Sequence, residues 1–104
     1  MSQNPAVEYR RLNRLLWEGR LPRASVYWID DETMPTNFGL TMWDEDFSLP
    51  VIFLNASTKR WHSVLIHEMC HVSNPTMPHN KLFYSLVKFY VRAAKNAKKG
   101  YRTL

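Results

Sequence analysis

Cysteine is nearly missing from this chain, which has one, Cys70, among 104 residues. A single thiol excludes the disulfide framework of small secreted domains and suits a reducing compartment. The first residues, Met1 to Pro5, lack the basic and then apolar run of a signal peptide, and no apolar stretch approaches the length of a membrane span. We therefore expect a cytoplasmic protein without a membrane partner.

Internal repeats, linkers and low-complexity segments are also lacking. The composition, 45% hydrophobic and 13% aromatic, is sufficient for one small core and gives no indication of disorder. We therefore expect a single domain over residues 1–104.

No aspartate or glutamate follows Glu68 in the chain, and Glu68 itself lies in the most informative motif. The motif is His67-Glu68-Met69-Cys70-His71, an H-E-x-x-H pattern in an apolar stretch that is typical of a helix. Residues four apart share one face of a helix, so His67 and His71 can direct two ring nitrogens to one metal ion. Two imidazoles on Zn²⁺ leave room for water, whose proton the neighbouring Glu68 would accept.

A catalytic zinc site usually has three protein ligands, so the motif needs one more. The absence of later acids excludes a downstream carboxylate, and the metzincin pattern fails because Asn74 and Met77 stand where it requires Gly and His. His79 is the one histidine after His71, and the intervening segment is long enough to turn the chain back. We expect His79 as the third ligand of one Zn²⁺ per chain. The competing interpretation is a solvent-facing loop histidine.

Two other side chains near the motif are weaker candidates. His62 precedes His67 by five positions and points away from the ligand face, which favours a surface position. Cys70 follows His67 by three positions, but a lone cysteine in an apolar helix is usually a small buried residue. It also lacks the facing base that a nucleophilic cysteine needs. We expect Cys70 in the core.

The order of apolar and turn-forming segments predicts an α+β fold. In the first helix, Leu12, Leu15 and Leu16 would form the buried side. We expect a sheet of about three strands, the second helix with the motif behind it, and a third helix that brings His79 to the ion. Helices are expected at 5–18, about 58–72 and about 78–98, and strands at 25–29, 38–43 and 50–54.

This order of features resembles the SprT-like zinc metallopeptidase domain and its WLM relatives. The resemblance covers about residues 9–90 and rests mainly on the H-E-x-x-H motif and on Pro78-His79 followed by the aromatic Phe83. Less specific matches, which fall in the same order, are Leu12-Asn13, Gly19-Arg20-Leu21-Pro22, Gly39 and Ile52-Phe53-Leu54-Asn55.

The resemblance implies a minimal zincin-like domain in which His67, His71 and His79 bind zinc and Glu68 is the general base of peptide-bond hydrolysis. Many SprT-like proteins add a cysteine-rich zinc ribbon, which we do not expect in a chain with one cysteine. Known SprT-like domains include proteases that act on proteins bound or crosslinked to DNA. DNA-associated proteins are therefore an expected class of substrate.

The third predicted helix is strongly basic, since residues 81–104 contain seven lysines or arginines and no acid. With a net charge of +5, a basic stripe on this helix can follow the phosphate backbone of DNA. The alternative is the solvated face of an amphipathic helix. We expect the stripe to face away from the core and the metal, and at about 100° per residue it contains Lys88, Arg92, Lys95 and Lys99, opposite Leu82, Leu86, Tyr90, Ala93 and Ala97.

The sequence thus predicts a zinc-dependent metallopeptidase that hydrolyses a protein or peptide substrate. The alternative is a non-enzymatic module that binds nucleic acid or protein and keeps zinc as a fold element. A structural zinc site usually has four ligands and no use for Glu68, which disfavours the module. Tyr84 is a candidate donor to the oxyanion, although its position is more typical of an ordinary surface tyrosine.

Overall fold

The first helix, α1 (Pro5–Trp17), begins at its sequence signals. In a computed structural model, which describes residues 4–30, 32, 38–43 and 49–98, the side chain of Asn4 accepts hydrogen bonds from two backbone N–H groups, those of Ala6 (2.9 Å) and Val7 (3.4 Å). This is the usual cap of a helix N-terminus. Gly19 follows the end of the helix with a φ of 76°, a conformation that glycine adopts without strain.

The buried side of α1 differs from the sequence prediction at one residue. Leu12 is buried and Leu16 is half-buried, as expected, but Leu15 is 42% exposed. Tyr9, Leu12 and Leu16 lie on the face of the helix that packs against the core. Leu15 lies at the edge of that face, which explains its exposure. Trp17, the last residue of the helix, is buried and stacks on Tyr90, with ring centroids 4.3 Å apart.

Three strands form one mixed sheet: β1 (Ser25–Ile29), β2 (Gly39–Trp43) and β3 (Pro50–Asn55). Their spatial order is β1-β3-β2, with β3 parallel to β1 and antiparallel to β2. Ile52, at the centre, pairs with Val26 on one side and Thr41 on the other. The fold is therefore α+β with a three-stranded sheet, as the sequence predicts.

The second helix, α2 (Trp61–Ser73), packs against β2 and β3 and also contacts α1 and α3 (Lys81–Lys98). Leu65, Ile66 and Met69 of α2 are buried against the apolar side of the sheet. Residues 67–71 lie in the middle of this helix, so its core side chains fix the position of the H-E-x-x-H motif.

Two helices begin three residues later than the sequence predicts. Asn55 accepts hydrogen bonds from both the backbone N–H and the hydroxyl of Ser57, which forms a turn before α2. Asn80 accepts a hydrogen bond of 3.0 Å from the N–H of Phe83, so α3 is capped at Asn80 and does not include Pro78. Among the described residues, no helix is long and apolar enough to cross a membrane.

Candidate metal centre

Three histidines converge beside α2. His67 and His71 lie one turn apart on the same face of the helix, with ring centroids separated by 5.0 Å. His79 reaches them from the loop between α2 and α3, and its Nε2 is 2.8 Å from Nε2 of His71. One ring nitrogen from each histidine lies within 4.8 Å of the others, so the three are close enough to hold a metal ion.

The loop that supplies His79 folds back by local hydrogen bonds. The N–H of Asn74 donates to the carbonyl of Cys70 at 2.9 Å, and the N–H of Asn80 donates to the carbonyl of Pro78 at 2.9 Å. Because α3 begins only at Lys81, His79 comes from the loop and not from the third helix, contrary to the sequence prediction.

One aromatic ring supports all three histidines. Phe83 is fully buried, and its ring stacks on that of His71 with a centroid distance of 4.5 Å. The corresponding distances to His67 and His79 are 5.1 Å and 5.2 Å. Phe83 therefore limits the rotation of the rings and keeps their nitrogens together.

The protonation of the histidines suits metal binding, because only a neutral imidazole offers a lone pair to an ion. Burial lowers the pKa of His67, and the nearby His79 lowers it further. Burial together with His67 and His79 lowers the pKa of His71 to about 4.

Two nitrogens on a tetrahedral zinc lie about 3.3 Å apart, so a small increase in the 2.8 Å distance between the nitrogens of His71 and His79 would admit the ion.

The donor set is informative about the kind of ion. Three imidazoles, with no thiolate or carboxylate added by the described residues, suit zinc and other first-row transition metals and do not suit Ca²⁺ or Mg²⁺.

In comparisons with known proteins, no protein-family model, no curated protein and no solved structure matches this chain.

Glu68, which follows His67 on α2, has a buried carboxyl group. It is 5% exposed, and its Oε1 accepts a hydrogen bond of 2.6 Å from the hydroxyl of Thr41 on β2. Burial raises the pKa of Glu68 to about 7, while the hydrogen bond from Thr41 acts in the opposite direction. Glu68 and His67 both line a pocket of about 730 Å³, so the carboxyl group is next to the space that a ligand would occupy.

The sequence analysis does not identify Thr41 as a site residue, and it names Gly39 only as a weak match to the family. A Cβ atom on Gly39 would lie 2.7 Å from Cγ1 of Val64 and 3.2 Å from both Cγ and Oε2 of Glu68. Glycine at this position therefore lets β2 approach α2 closely enough for Thr41 to reach the carboxylate. The sequence signal for both residues is the period of two, which places the small Gly39 and the polar Thr41 on the same side of an otherwise apolar strand.

Three further predictions about single residues can be compared with the structure. Cys70 is fully buried in the core, as expected, and burial raises the pKa of its thiol to about 12. His62 lies away from the centre, with Nε2 3.4 Å from the carboxylate of Glu8. Tyr84 is 46% exposed but flanks the centre, with its ring centroid 5.7 Å from that of His79.

One end of the basic stripe has a different orientation from the expected one. Lys88, Arg92 and Lys95 are exposed, while Lys99 lies outside the described residues. Lys88 shares a pocket with His79, so this end of the stripe faces the candidate centre and not away from it.

The apolar side of α3 also differs from the expected one at its first residue. Leu82 is 65% exposed, because it lies about 100° round the helix from Phe83, the most buried residue of α3. Leu86, Tyr90, Ala93 and Ala97 are half-buried, in agreement with the prediction.

Replacing Gly39 with alanine is expected to destabilise the protein and reduce any activity of the centre. The added methyl group overlaps Val64 and presses on Glu68, and overpacking of this kind typically costs about 1–3 kcal/mol. The free energy of unfolding, measured by urea titration of the metal-free protein, should fall by that amount. An unchanged value would show that β2 and α2 are farther apart than described.

The raised pKa of Glu68 predicts a pH-dependent stability. In the metal-free protein, the unfolded state releases the proton near pH 4.5, whereas the folded state holds it until about pH 7. The folded state thus binds more protons between these values, so stability falls as pH rises through this window, by up to about 3 kcal/mol. In urea titrations, the stability of Glu68→Gln relative to wild type should therefore increase from pH 4.5 to 7.

The histidines do not obscure this comparison. The lowered pKa of His71 makes stability rise with pH over about 4 to 6.5, but it is present in both proteins and cancels in the difference. A difference that is constant from pH 4.5 to 7 would contradict the buried position of Glu68.

Proposed function

We propose that this protein is a zinc-dependent metallopeptidase with a minimal zincin fold of the SprT-like kind. The observation that supports this most is that the buried carboxyl group of Glu68 lines the same pocket as His67, one of three histidines whose ring nitrogens converge. A purely structural zinc would be enclosed by four protein ligands. Among the described residues, no fourth histidine, cysteine or acid joins the group of three.

Each side chain of the centre has a role in this proposal. His67, His71 and His79 would hold the zinc, which when bound polarises the scissile carbonyl and makes water more acidic. Glu68 accepts the proton of the attacking water and then delivers it to the leaving amine. The hydroxyl of Thr41 fixes Oε1 of this carboxyl group by its hydrogen bond, which leaves Oε2 to carry the proton. Tyr84, at the edge of the centre, is the proposed hydrogen-bond donor to the developing oxyanion.

Hydrolysis that depends on zinc is the direct test of this proposal. Wild-type protein, stripped of metal and then given one equivalent of Zn²⁺, should cut an unfolded protein such as casein into fragments visible by gel electrophoresis and mass spectrometry. Excess chelator should stop the reaction, and added zinc should restore it. Casein that stays intact at full zinc occupancy, with and without DNA, would instead support the non-enzymatic module.

The substrates that we propose are proteins associated with DNA, and the exposed cations of α3 support this choice. Lys88, Arg92 and Lys95 present three positive charges to solvent on one helix. If these residues contact phosphates, DNA affinity should fall steeply with salt, and each lost contact should reduce the slope of log affinity against log salt by about 0.7–0.9.

Charge reversal tests this contribution. Changing Arg92, Lys95 and Lys99 to glutamate, with Lys88 kept because it shares a pocket with His79, should remove most of the contribution of the stripe to DNA binding in a fluorescence anisotropy titration, while zinc content and the circular dichroism spectrum stay the same. Equal binding by the wild type and the reversed protein would mean that the stripe only keeps the surface hydrated.

A further inference from the structure

Two pockets flank the candidate centre, and both are bordered by cations. The larger pocket, about 730 Å³, reaches His67 and Glu68 and has Lys59 and Arg60 at its border. The smaller one, about 420 Å³, contains His79 and is bordered by two lysines of α3. The centre therefore lies between two positively charged pockets.

In the part of the chain that the structure describes, none of Lys59, Arg60, Lys81 and Lys88 forms an ion pair. Glu68 is the one described carboxylate that lines either pocket, and it is itself part of the centre. A bound metal ion would add further positive charge. The two pockets and the centre between them, which we call the cleft, therefore favour an anionic ligand on both sides.

The chemistry of the pocket walls favours a peptide over a nucleic acid. Phe38, Val64 and Val87 give the larger pocket an apolar wall next to His67, which suits a large aliphatic or aromatic side chain. In the smaller pocket, Tyr84 and Ser85 provide hydroxyl groups between the two lysines. A polypeptide can present an apolar side chain to the first pocket and carboxylates to both borders.

We propose that the cleft selects acidic polypeptide segments, with aspartate or glutamate on both sides of a large apolar residue at the scissile bond. Lys59 and Arg60 bind the acids on one side, and Lys81 and Lys88 bind those on the other. This inference rests on the proposed peptidase function. It adds a substrate class and four specificity-determining residues to that function.

Mapping of cleavage sites tests this selectivity in the active protein. Zinc-loaded wild type is incubated with a mixture of denatured proteins, and the cut positions are identified by mass spectrometry. Acidic residues should be enriched about threefold or more within three positions on each side of the cut, and basic residues should be depleted. Cuts without acidic enrichment would overturn the inference and leave the peptidase function intact.

Charge reversal assigns each side of the preference to one pair of cations. Lys81→Glu with Lys88→Glu should remove the enrichment on one side of the cut, and Lys59→Glu with Arg60→Glu should remove it on the other. The matched control is Arg10→Glu with Arg14→Glu, which reverses the same number of charges at exposed positions of α1 outside both pockets. An equal loss in this control would mean that only the net charge matters.

A binding measurement makes the inference independent of hydrolysis. Zinc-loaded Glu68→Gln is titrated with two labelled ten-residue peptides that share a leucine–phenylalanine centre and carry either two glutamates or two glutamines on each side. The glutamate peptide should bind about 5- to 10-fold more tightly at low salt, and the ratio should approach one in high salt. The ratio should also fall when either cation pair is changed to glutamine, a milder replacement.

The possible results separate the inference from the proposed function. Equal affinities for the two peptides would overturn the inference. So would pocket variants that lose binding of a single-stranded oligonucleotide but keep the peptide ratio, because the cations would then serve a nucleic acid. Selective binding of the glutamate peptide, combined with no cleavage by zinc-loaded wild type, would overturn the peptidase function and support an acidic-segment binding site.

Discussion

Replacing Glu68 with glutamine is expected to reduce zinc-dependent hydrolysis by about 10²- to 10⁴-fold, the usual effect of losing a general base. Glutamine has nearly the same shape and can still accept the hydrogen bond from Thr41, but it cannot take a proton from water. The zinc content of the loaded protein should be maintained, and its thermal midpoint should not fall. The rate constants for cleavage of one fluorogenic substrate by both proteins provide the measurement.

A matched control shows whether the effect belongs to this carboxylate. Glu18 is an exposed glutamate at the end of α1, far along the chain from the motif, and Glu18→Gln should leave the rate unchanged. If Glu68→Gln retained the wild-type rate at equal zinc occupancy, Glu68 would not be the base and the proposed proton transfer would be wrong.

Removing the imidazole of His79 is expected to weaken zinc retention as much as removing that of His71. The two ring nitrogens lie 2.8 Å apart and would bind the same ion. Each variant therefore leaves two of the three ligands: His67 and His71 in His79→Ala, and His67 and His79 in His71→Ala. Wild type should carry about one zinc per chain after dialysis against a weak chelator. The His79→Ala and His71→Ala proteins should lose most of theirs, as measured by mass spectrometry of the metal.

The chain provides its own control for this experiment. His62 is the fourth histidine and lies on the first turn of α2, near Glu8 and away from the other three. His62→Ala should therefore keep the wild-type zinc content. Zinc content that is unchanged in His79→Ala would make His79 a solvent-facing loop residue and leave a centre of two histidines.

The part of the centre that the sequence predicts is the part built by local geometry. His67 and His71 meet because residues four apart on a helix share a face, which needs no knowledge of the fold. Elimination predicts His79, because no acid follows Glu68 and His79 is the one histidine after His71. The structure places the three residues together but brings His79 from a loop, because the cap at Asn80 starts α3 later than the periodicity suggests.

The features that the sequence does not reveal depend on contacts between distant segments. Thr41 and Glu68 are 27 positions apart and meet only because Gly39 allows β2 to pack closely on α2. The stacking of Phe83 on His71 likewise depends on how α3 packs against α2. The position of Lys88 in one pocket with His79 also depends on this packing. A helical wheel shows which residues share a face of the helix, but it does not show which part of the protein that face contacts.

A crystal structure of the zinc-loaded protein, with the ion located by its anomalous scattering, tests the central claim most directly. We expect one zinc at about 2.0–2.1 Å from nitrogens of His67, His71 and His79, with solvent in the fourth position and within hydrogen-bonding distance of Glu68. A fourth ligand from the protein, or a zinc bound elsewhere, would contradict the open centre on which the proposed hydrolysis depends.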